Sequence, residues 1–260
     1  MKCVILAGGY GTRISEETQS IPKPMITIGV KPILWHIMKL YDYYGIKEFI
    51  ICTGYQEYAI KEYFMNYFMH NCDVTFDFSN NSYITHKEKS EQWKVSVVNT
   101  GLNSMTGHRI KQIYEYVKDD DFFCLTYGDG VANVDIGGLI NFHKNHGKLA
   151  TLTSVSMATR FGMLDVNSQT NLVSSFVEKP LHENNLINAG FFCLSPKVIK
   201  DYINNDVACI FEQDPLKNLS KDGELCAYRH SGFWKCMDTL REKQELEKIW
   251  SSGSAPWKVW

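Results

Sequence analysis

KCVILA at residues 2–7 runs directly into Gly8-Gly9-Tyr10-Gly11-Thr12-Arg13, and Lys23 follows ten residues later between Pro22 and Pro24. An apolar run that ends in a glycine turn reads as a buried strand opening at its carboxyl end. With no side chain at positions 8, 9 and 11, backbone N–H groups can closely approach the oxygens of an anion. Arg13 can grip such oxygens in bidentate fashion, and Lys23 adds a point charge. Strand, turn and two cations together make a place to hold a polyphosphate. The glycines alone decide little, because many such turns only join a strand to a helix. Their spacing does not fit G-x-G-x-x-G, since Ile14 stands where the third glycine belongs. The Gly-Lys-Ser/Thr of a Walker loop is also absent.

Outward from this turn, apolar runs alternate with segments of helical period. Strands are expected at 2–7, 48–53, 74–78, 94–99, 122–127 and 149–155, and helices at 33–44, 57–69, 106–118 and 135–146. This alternation predicts βαβ units and a mostly parallel, twisted sheet. Ligands of such sheets bind beyond the carboxyl ends of the strands. Tyr127-Gly128-Asp129-Gly130 ends the strand at 122–127, so it shares one rim with the glycine turn. Short runs at 163–166, 172–178, 189–194 and 224–229 are expected as antiparallel strands that extend the sheet and cover the site. Helices are expected at 196–203, 213–221 and 239–250, and the polar stretch 79–93 as an excursion from the sheet. The 260 residues are expected to form one domain whose pattern changes near residue 155.

Composition narrows the class. With 27 Lys and Arg against 29 Asp and Glu, the chain has no basic field suited to nucleic acid. No run nears the roughly 18 apolar residues of a membrane span. Met1-Lys2 leads straight into a strand rather than a signal peptide. Of the eight cysteines, Cys3, Cys52, Cys124 and Cys193 lie in apolar runs and no C-x-x-C occurs, so they read as reduced, buried residues of a cytoplasmic protein.

Asp129, flanked by glycines at a strand end, reads either as a turn residue capping an N–H or as a magnesium ligand. Asp238 reads as the N-cap of the helix TLREKQEL or as a second carboxylate for the same ion. Glu178-Lys179-Pro180 closes a strand and by itself reads as an ordinary surface pair. Ser104 or Thr106 is expected to cap the helix that carries Arg109. His143 and His146, near a helix end closed by Gly147, are expected to be solvated. The tail APWKVW at 255–260 packs either on its own domain or on another subunit.

The strings LAGGYGTR and IPKP resemble the L-A-G-G-x-G-T-R…P-K-P signature of the sugar-phosphate nucleotidyltransferases. Over the whole chain KPILWHIMK, SMTGHR, LTYGDG, LTSVSMATRFGMLDV, GFWKCMDTLR and APWK look like the glucose-1-phosphate cytidylyltransferases. The resemblance implies a Rossmann-like, mostly parallel mixed sheet with helices on both faces and a smaller antiparallel sugar-binding extension, the nucleotide-diphospho-sugar transferase fold. It implies transfer of a cytidylyl group from CTP to α-D-glucose 1-phosphate, with Mg²⁺ as cofactor and CDP-glucose and pyrophosphate as products. That product would feed dideoxysugars of bacterial surface polysaccharide. It implies a nucleotide-binding part to about 155 and a sugar-binding and oligomerisation part from about 156 to 260 within the one domain, and a homo-oligomer, a hexamer by resemblance, with neither nucleic acid nor membrane as partner.

Carried over by motif, Arg13 and Lys23 are the catalytic cations. Leu6, Ala7, Gly8, Gly9, Tyr10, Gly11, Thr12, Ser104, Arg109 and Gly128 join them around the nucleotide. Arg109 would donate to O2 and N3 of cytosine. Tyr127, Gly162, Glu178, Lys179 and Asn188 fall to the sugar phosphate, and Asp129 and Asp238 to the metal. The same chemistry on another pyrimidine nucleotide or another phosphorylated substrate, and a non-catalytic relative, stand as alternatives. The chain departs from the family pattern at Tyr10, Val30, Asn99, His108 and Ala189. Tyr10 and His108 bear on the base, and Ala189 on the sugar.

Overall fold

The computed structural model describes residues 1–69, 71–86, 90–156, 163–166, 173–177 and 186–260. Strands in chain order are β1 (Lys2–Leu6), β2 (Thr27–Ile28), β3 (Lys31–Pro32), β4 (Glu48–Thr53), β5 (Asp73–Asp77), β6 (Ser82–His86), β7 (Lys94–Asn99), β8 (Phe123–Tyr127), β9 (Gly130–Ala132), β10 (Ala150–Ser156), β11 (Met163–Val166), β12 (Val173–Val177), β13 (Leu186–Leu194), β14 (Leu225–His230) and β15 (Trp234–Cys236). Helices are α1 (Ser15–Thr18), α2 (Ile33–Tyr43), α3 (Glu57–Met65), α4 (Thr106–Gln112), α5 (Tyr114–Val117), α6 (Ile136–His146), α7 (Pro196–Tyr202), α8 (Asp214–Lys221) and α9 (Leu240–Ser251).

Seven strands form one sheet in the order β14-β10-β13-β8-β1-β4-β7. β1 lies in its interior next to the central strand β8, parallel to both β4 and β8. Because side chains alternate along a strand, β1 feeds two cores. Cys3 and Ile5 face the layer that holds α2 and Trp257, while Val4 and Leu6 face the layer of Ile110, Val198 and Leu219. The sheet is therefore covered by helices on both faces, as expected of parallel strands that are apolar throughout. β13 is the reversed strand, inserted antiparallel between β10 and β8.

Several sequence expectations change. The run at 74–78 does not join the sheet, and β5 pairs with β6 in a separate, largely exposed hairpin. Its alternation is that of a strand, but β7 takes the sheet edge beside β4. β14 was expected antiparallel and instead lies parallel to β10. The helix expected over 106–118 is split at Ile113, where i→i+3 bonds (Tyr116 N to Ile113 O, 3.0 Å) tighten the chain. α9 is capped by Thr239, not Asp238, in a capping box with Glu242. Neither Ser104 nor Thr106 caps α4. His143 is buried rather than solvated, and it shares the Thr151 hydroxyl with His146.

The tail packs on its own chain. Trp257 is 1 % exposed, stacks on Phe233 and Trp250, and directs its indole N–H at His36 Nδ1 over 3.4 Å. All eight cysteines are free thiols, and those expected to be buried are buried. Among the described residues no helix is long and apolar enough to cross a membrane.

Candidate active site

The carboxyl ends of β1 and β8 open into a cavity of about 550 Å³. Leu6, Ala7, Gly8, Gly9, Gly11, Thr12 and Gly128 form its β1–β8 side. The two strand ends are tied where they enter it, since Gly128 N donates to Leu6 O at 2.9 Å. Gly8 has no room for a side chain. A Cβ there would lie 2.2 Å from Nη1 of Arg109. Gly11 sits at φ +66°, the left-handed region that favours glycine, and turns the chain into the short 3-10 segment Thr12–Ile14.

Arg109 is 4 % exposed and braces this turn from behind. Its Nη2 donates to Gly8 O (2.8 Å) and Leu102 O (3.3 Å). Its Nη1 donates to Thr53 O (3.0 Å), Thr100 Oγ1 (2.8 Å) and Gly101 O (2.8 Å). The terminal nitrogens expected to meet cytosine O2 and N3 are thus turned toward protein oxygens. Tyr10 also points elsewhere than expected. It is not among the cavity-lining residues. Its ring leans on Tyr55, and its hydroxyl donates to Asn103 Oδ1 at 2.8 Å. Tyr10 therefore ties the glycine turn to the loop that carries Ser104, a buried residue of the cavity wall.

Charge gathers beside the same turn, where a Cβ on Gly11 would lie 3.3 Å from Lys23 Cβ. Lys23, 8 % exposed, starts a short 3-10 segment set by Pro22 and Pro24. Its Nζ donates to Asp129 Oδ2 at 2.7 Å and to Asp238 Oδ1 at 2.6 Å. Arg13 Nη1 reaches the other oxygen of Asp238 at 2.6 Å. Burial pulls the Lys23 ammonium down, but Asp129 and Asp238 outweigh it and hold the group above its ordinary 10.5. Burial pushes Asp238 up, and its contacts with Lys23 outweigh that and hold it below its ordinary 3.8. The aspartates come from distant segments joined by pairing: β15 pairs with β9, and Met237 N donates to Asp129 O at 2.8 Å. Two hard carboxylates converging on one cation at a cavity wall fit the donor set of a magnesium ion, which takes one or two protein carboxylates plus phosphate oxygens and waters. Among the described residues no cluster of three or more His, Cys, Asp or Glu could hold a metal by itself. Phosphate oxygens or waters would fill the remaining positions around a metal here.

Tyr127 and Asn188 also line the cavity. Asn188 Oδ1 accepts from Gly190 N at 2.8 Å, and its Nδ2 lies 3.4 Å from the Tyr127 hydroxyl. Gly190, at φ +81°, makes room for the Tyr127 ring. The sequence reading missed Glu212, which also lines the cavity. Tyr127 donates to its Oε1 and Thr106 to its Oε2 (2.6 Å). Glu212 thus links α4 to the end of β8. Its context, FEQDP before α8, looks like an ordinary acidic helix start, so no local signal marked it. Gly162, Glu178 and Lys179 lie outside the described residues.

A family model described as nucleotidyl transferase matches residues 2–235. The chain is 57 % identical over its full length, and the full length of the relative, to a glucose-1-phosphate cytidylyltransferase of Salmonella typhi. It is equally similar to that of Salmonella typhimurium, 57 % over all 260 residues of both. Among solved structures, HddC from Yersinia pseudotuberculosis superposes with a TM-score of 0.68 at 25 % identity, over 96 % of this chain and 99 % of that one. The mixed, mostly parallel sheet is that of the nucleotide-diphospho-sugar transferase fold. With the family's signature turn, its two cations and both aspartates gathered on one cavity, the chain belongs to the nucleotidyl transferase family, as a relative of the glucose-1-phosphate cytidylyltransferases.

Proposed function

We propose that this protein transfers a cytidylyl group from CTP to α-D-glucose 1-phosphate, releasing pyrophosphate and giving CDP-glucose. The observation that carries the reading is the single cavity joining the glycine turn, Lys23 between two aspartates, and the Tyr127–Asn188 side. The 57 % full-length identity to enzymes of that name supports the choice of substrates.

The difficulty of the reaction is to bring two polyanions together. The attacking sugar phosphate is already an anion, so no general base is needed, and positioning with charge neutralisation carries the catalysis. The N–H groups of the Gly8–Gly11 turn cradle the triphosphate. Arg13 leaves Asp238 to take the departing phosphates, and Lys23 faces the α-phosphate. Asp129 and Asp238 would hold Mg²⁺, whose contribution when bound is to neutralise charge on the phosphate oxygens. Lys179 would take the incoming phosphate, with Glu178, Asn188, Tyr127 and Gly162 at the sugar. The chain acts as one domain, and its free thiols suit the cytoplasm. The exposed Phe76, Phe78, Tyr83 and Ile84 of the β5–β6 hairpin suit burial in a homo-oligomer.

The test is pyrophosphate release by the purified protein with Mg²⁺ and a panel of sugar phosphates. CTP with glucose 1-phosphate should be the best pair. Failure to release pyrophosphate with any pair would make the chain a non-catalytic relative. Full activity in Asp129→Ala would refute the metal assignment.

A further inference from the structure

The glycine turn meets two conflicting demands. Its N–H groups must stay unbonded if they are to meet an anion, yet a glycine turn without backbone bonds has little to hold its shape. The ends of the turn are fixed. Gly8 O accepts from Arg109 Nη2 at 2.8 Å and from Tyr55 N at 3.3 Å. Gly11 O accepts from Ile14 N at 3.0 Å and from the Thr18 hydroxyl at 3.2 Å. Between these ends, among the described residues, neither Gly9 nor Tyr10 makes a backbone–backbone hydrogen bond. A Cβ on Gly9 would meet nothing within 4 Å.

What holds this span is the Tyr10 side chain. Its hydroxyl donates to Asn103 Oδ1 at 2.8 Å, and its ring lies against Tyr55 with centroids 5.2 Å apart. Both supports are themselves anchored. Tyr55 donates from its hydroxyl to Thr18 O at 3.4 Å and accepts from Gln56 Nε2 at 3.1 Å. Asn103 follows Leu102, whose carbonyl accepts from Arg109, and precedes Met105 by two, whose N–H donates to Val207 O at 2.9 Å. Gly9 and Gly11 line the cavity, as do Ser104 and Met105, whereas Tyr10 and Asn103 do not. The tie therefore joins two lining segments through residues that do not themselves line the cavity. Arg109 joins the same segments from the buried side, through Gly8 O and Leu102 O.

We propose that Tyr10 is a positioning residue, which through its tie to Asn103 holds the glycine turn ready for a triphosphate before the nucleotide arrives. The inference rests on the nucleotide reading above, and it needs no contact between Tyr10 and the ligand. A side chain can brace the turn without occupying its N–H groups. Once phosphate oxygens meet those groups they hold the turn themselves, so the tie acts on binding rather than on the bound complex. Losing one neutral, exposed hydrogen bond leaves the receptive shape a smaller share of the free protein, and apparent affinity falls by that share. Tyr10 is a position where the chain departs from the family pattern, and nothing in the sequence joined it to Asn103, 93 residues away.

Calorimetry with CTP and Mg²⁺ but no sugar phosphate reads binding alone, and inorganic triphosphate in place of CTP reads the turn without base or ribose. Tyr10→Phe keeps the ring on Tyr55 and loses the hydrogen bond. Its Kd for CTP should rise about two- to tenfold, and its KM for CTP with it. Its kcat, its KM for glucose 1-phosphate and its melting temperature should stay near those of the wild type, since Tyr10 is 44 % exposed. Asn103→Ala should do the same. The double variant should bind no more weakly than the single ones, because both substitutions remove one bond. Inorganic triphosphate should rank the proteins in the same order. Unchanged CTP affinity in Tyr10→Phe would overturn the inference while leaving the cytidylyl reading intact, and so would independent, multiplying effects of the two substitutions. An equal rise in the KM for glucose 1-phosphate would overturn it as well, since that marks general loosening of the fold. A wild type that binds CTP but releases no pyrophosphate with any sugar phosphate would overturn the cytidylyl reading, while the binding arms still decide the inference. A wild type that binds no triphosphate would overturn both.

Discussion

Lys23→Met removes the cation between Asp129 and Asp238 and keeps a chain of similar length. The two lost contacts, at 2.7 and 2.6 Å, each carry about 6 kcal/mol of attraction at an effective dielectric constant near 20. Most of that is offset by the cost of burying the ammonium. Breaking a buried pair by removing one partner costs about 3–5 kcal/mol net. Asp129 and Asp238 keep 31 % and 21 % of their side-chain surface in water, which lowers the expectation to about 2–3 kcal/mol. For a domain of this size the melting temperature should drop by roughly 5–10 °C. The sign with pH follows from both partners. Asp238 titrates lower when folded, so its contribution is present above about pH 4 and lost as pH falls through its folded value. Lys23 titrates higher when folded, so its contribution is present below about 10.5 and lost as pH rises through its folded value. The variant's deficit should therefore be full near pH 7 and shrink below pH 4. Added Mg²⁺, without nucleotide, should raise the variant's melting temperature more than the wild type's, because the paired carboxylates no longer hold an ammonium. Turnover should fall by about 10²–10³ or more, as when a preorganised charge partner is lost. Differential scanning fluorimetry across pH and Mg²⁺ reads the first effects, and pyrophosphate release the last. A variant that melts within a degree or two of the wild type, indifferent to Mg²⁺, would refute the reasoning.

Four further outcomes are expected. Gly8→Ala must displace the Arg109 guanidinium and break several charge-assisted bonds, costing at least about 3 kcal/mol by chemical denaturation. Gly9→Ala meets nothing within 4 Å, so it should change stability by less than about 0.5 kcal/mol while raising the KM for nucleotide; equal stability losses in the two variants would contradict the geometry. Glu212→Gln keeps one acceptor for two donors, Tyr127 and Thr106, and should raise the KM for sugar phosphate several-fold at nearly unchanged melting temperature; steady-state kinetics with each substrate varied in turn checks it. Burial lowers His36 to about 4, and burial with the neighbouring His146 lowers His143 to about 4. The unfolded chain binds these protons first, so each histidine should remove roughly 1.4 kcal/mol of stability per pH unit between about 6.5 and 4. Denaturant titrations at pH 7, 6 and 5 measure the slope, and a flat profile would contradict the burial of both rings.

The strand of residues 2–7, the glycine turn and the rim shared with Asp129 were legible in sequence because each depends on local pattern. An apolar run that faces two cores carries no polar residues, and a turn that must approach an anion carries glycines. Pairing was not legible in the same way. β5 looks like any sheet strand, and only competition with β7 for the edge beside β4 sends it into a hairpin with β6. The N-cap of α9 falls on Thr239 and not Asp238 because Glu242 returns its side chain to the cap, which frees Asp238 to meet Lys23.

The sequence by itself determined the class of chemistry: LAGGYGTR with Lys23, and two aspartates 109 positions apart, name the cations and the carboxylates of the cavity by type and motif. The direction of each side chain was left to the tertiary structure. Arg109 turns back onto Gly8 O, Tyr10 leaves the cavity for Asn103, and Glu212 arrives from beyond β13 to join Tyr127 and Thr106. The physical reason is that motif and period report what a residue can do and which face it lies on. A hydrogen bond, and the proton within it, depends on where distant segments bring their partners. Glu212 is the sharpest case: it reads as an ordinary acidic helix start, but it accepts from Tyr127 and Thr106, which lie 85 and 106 residues away and which only the folded chain brings to it.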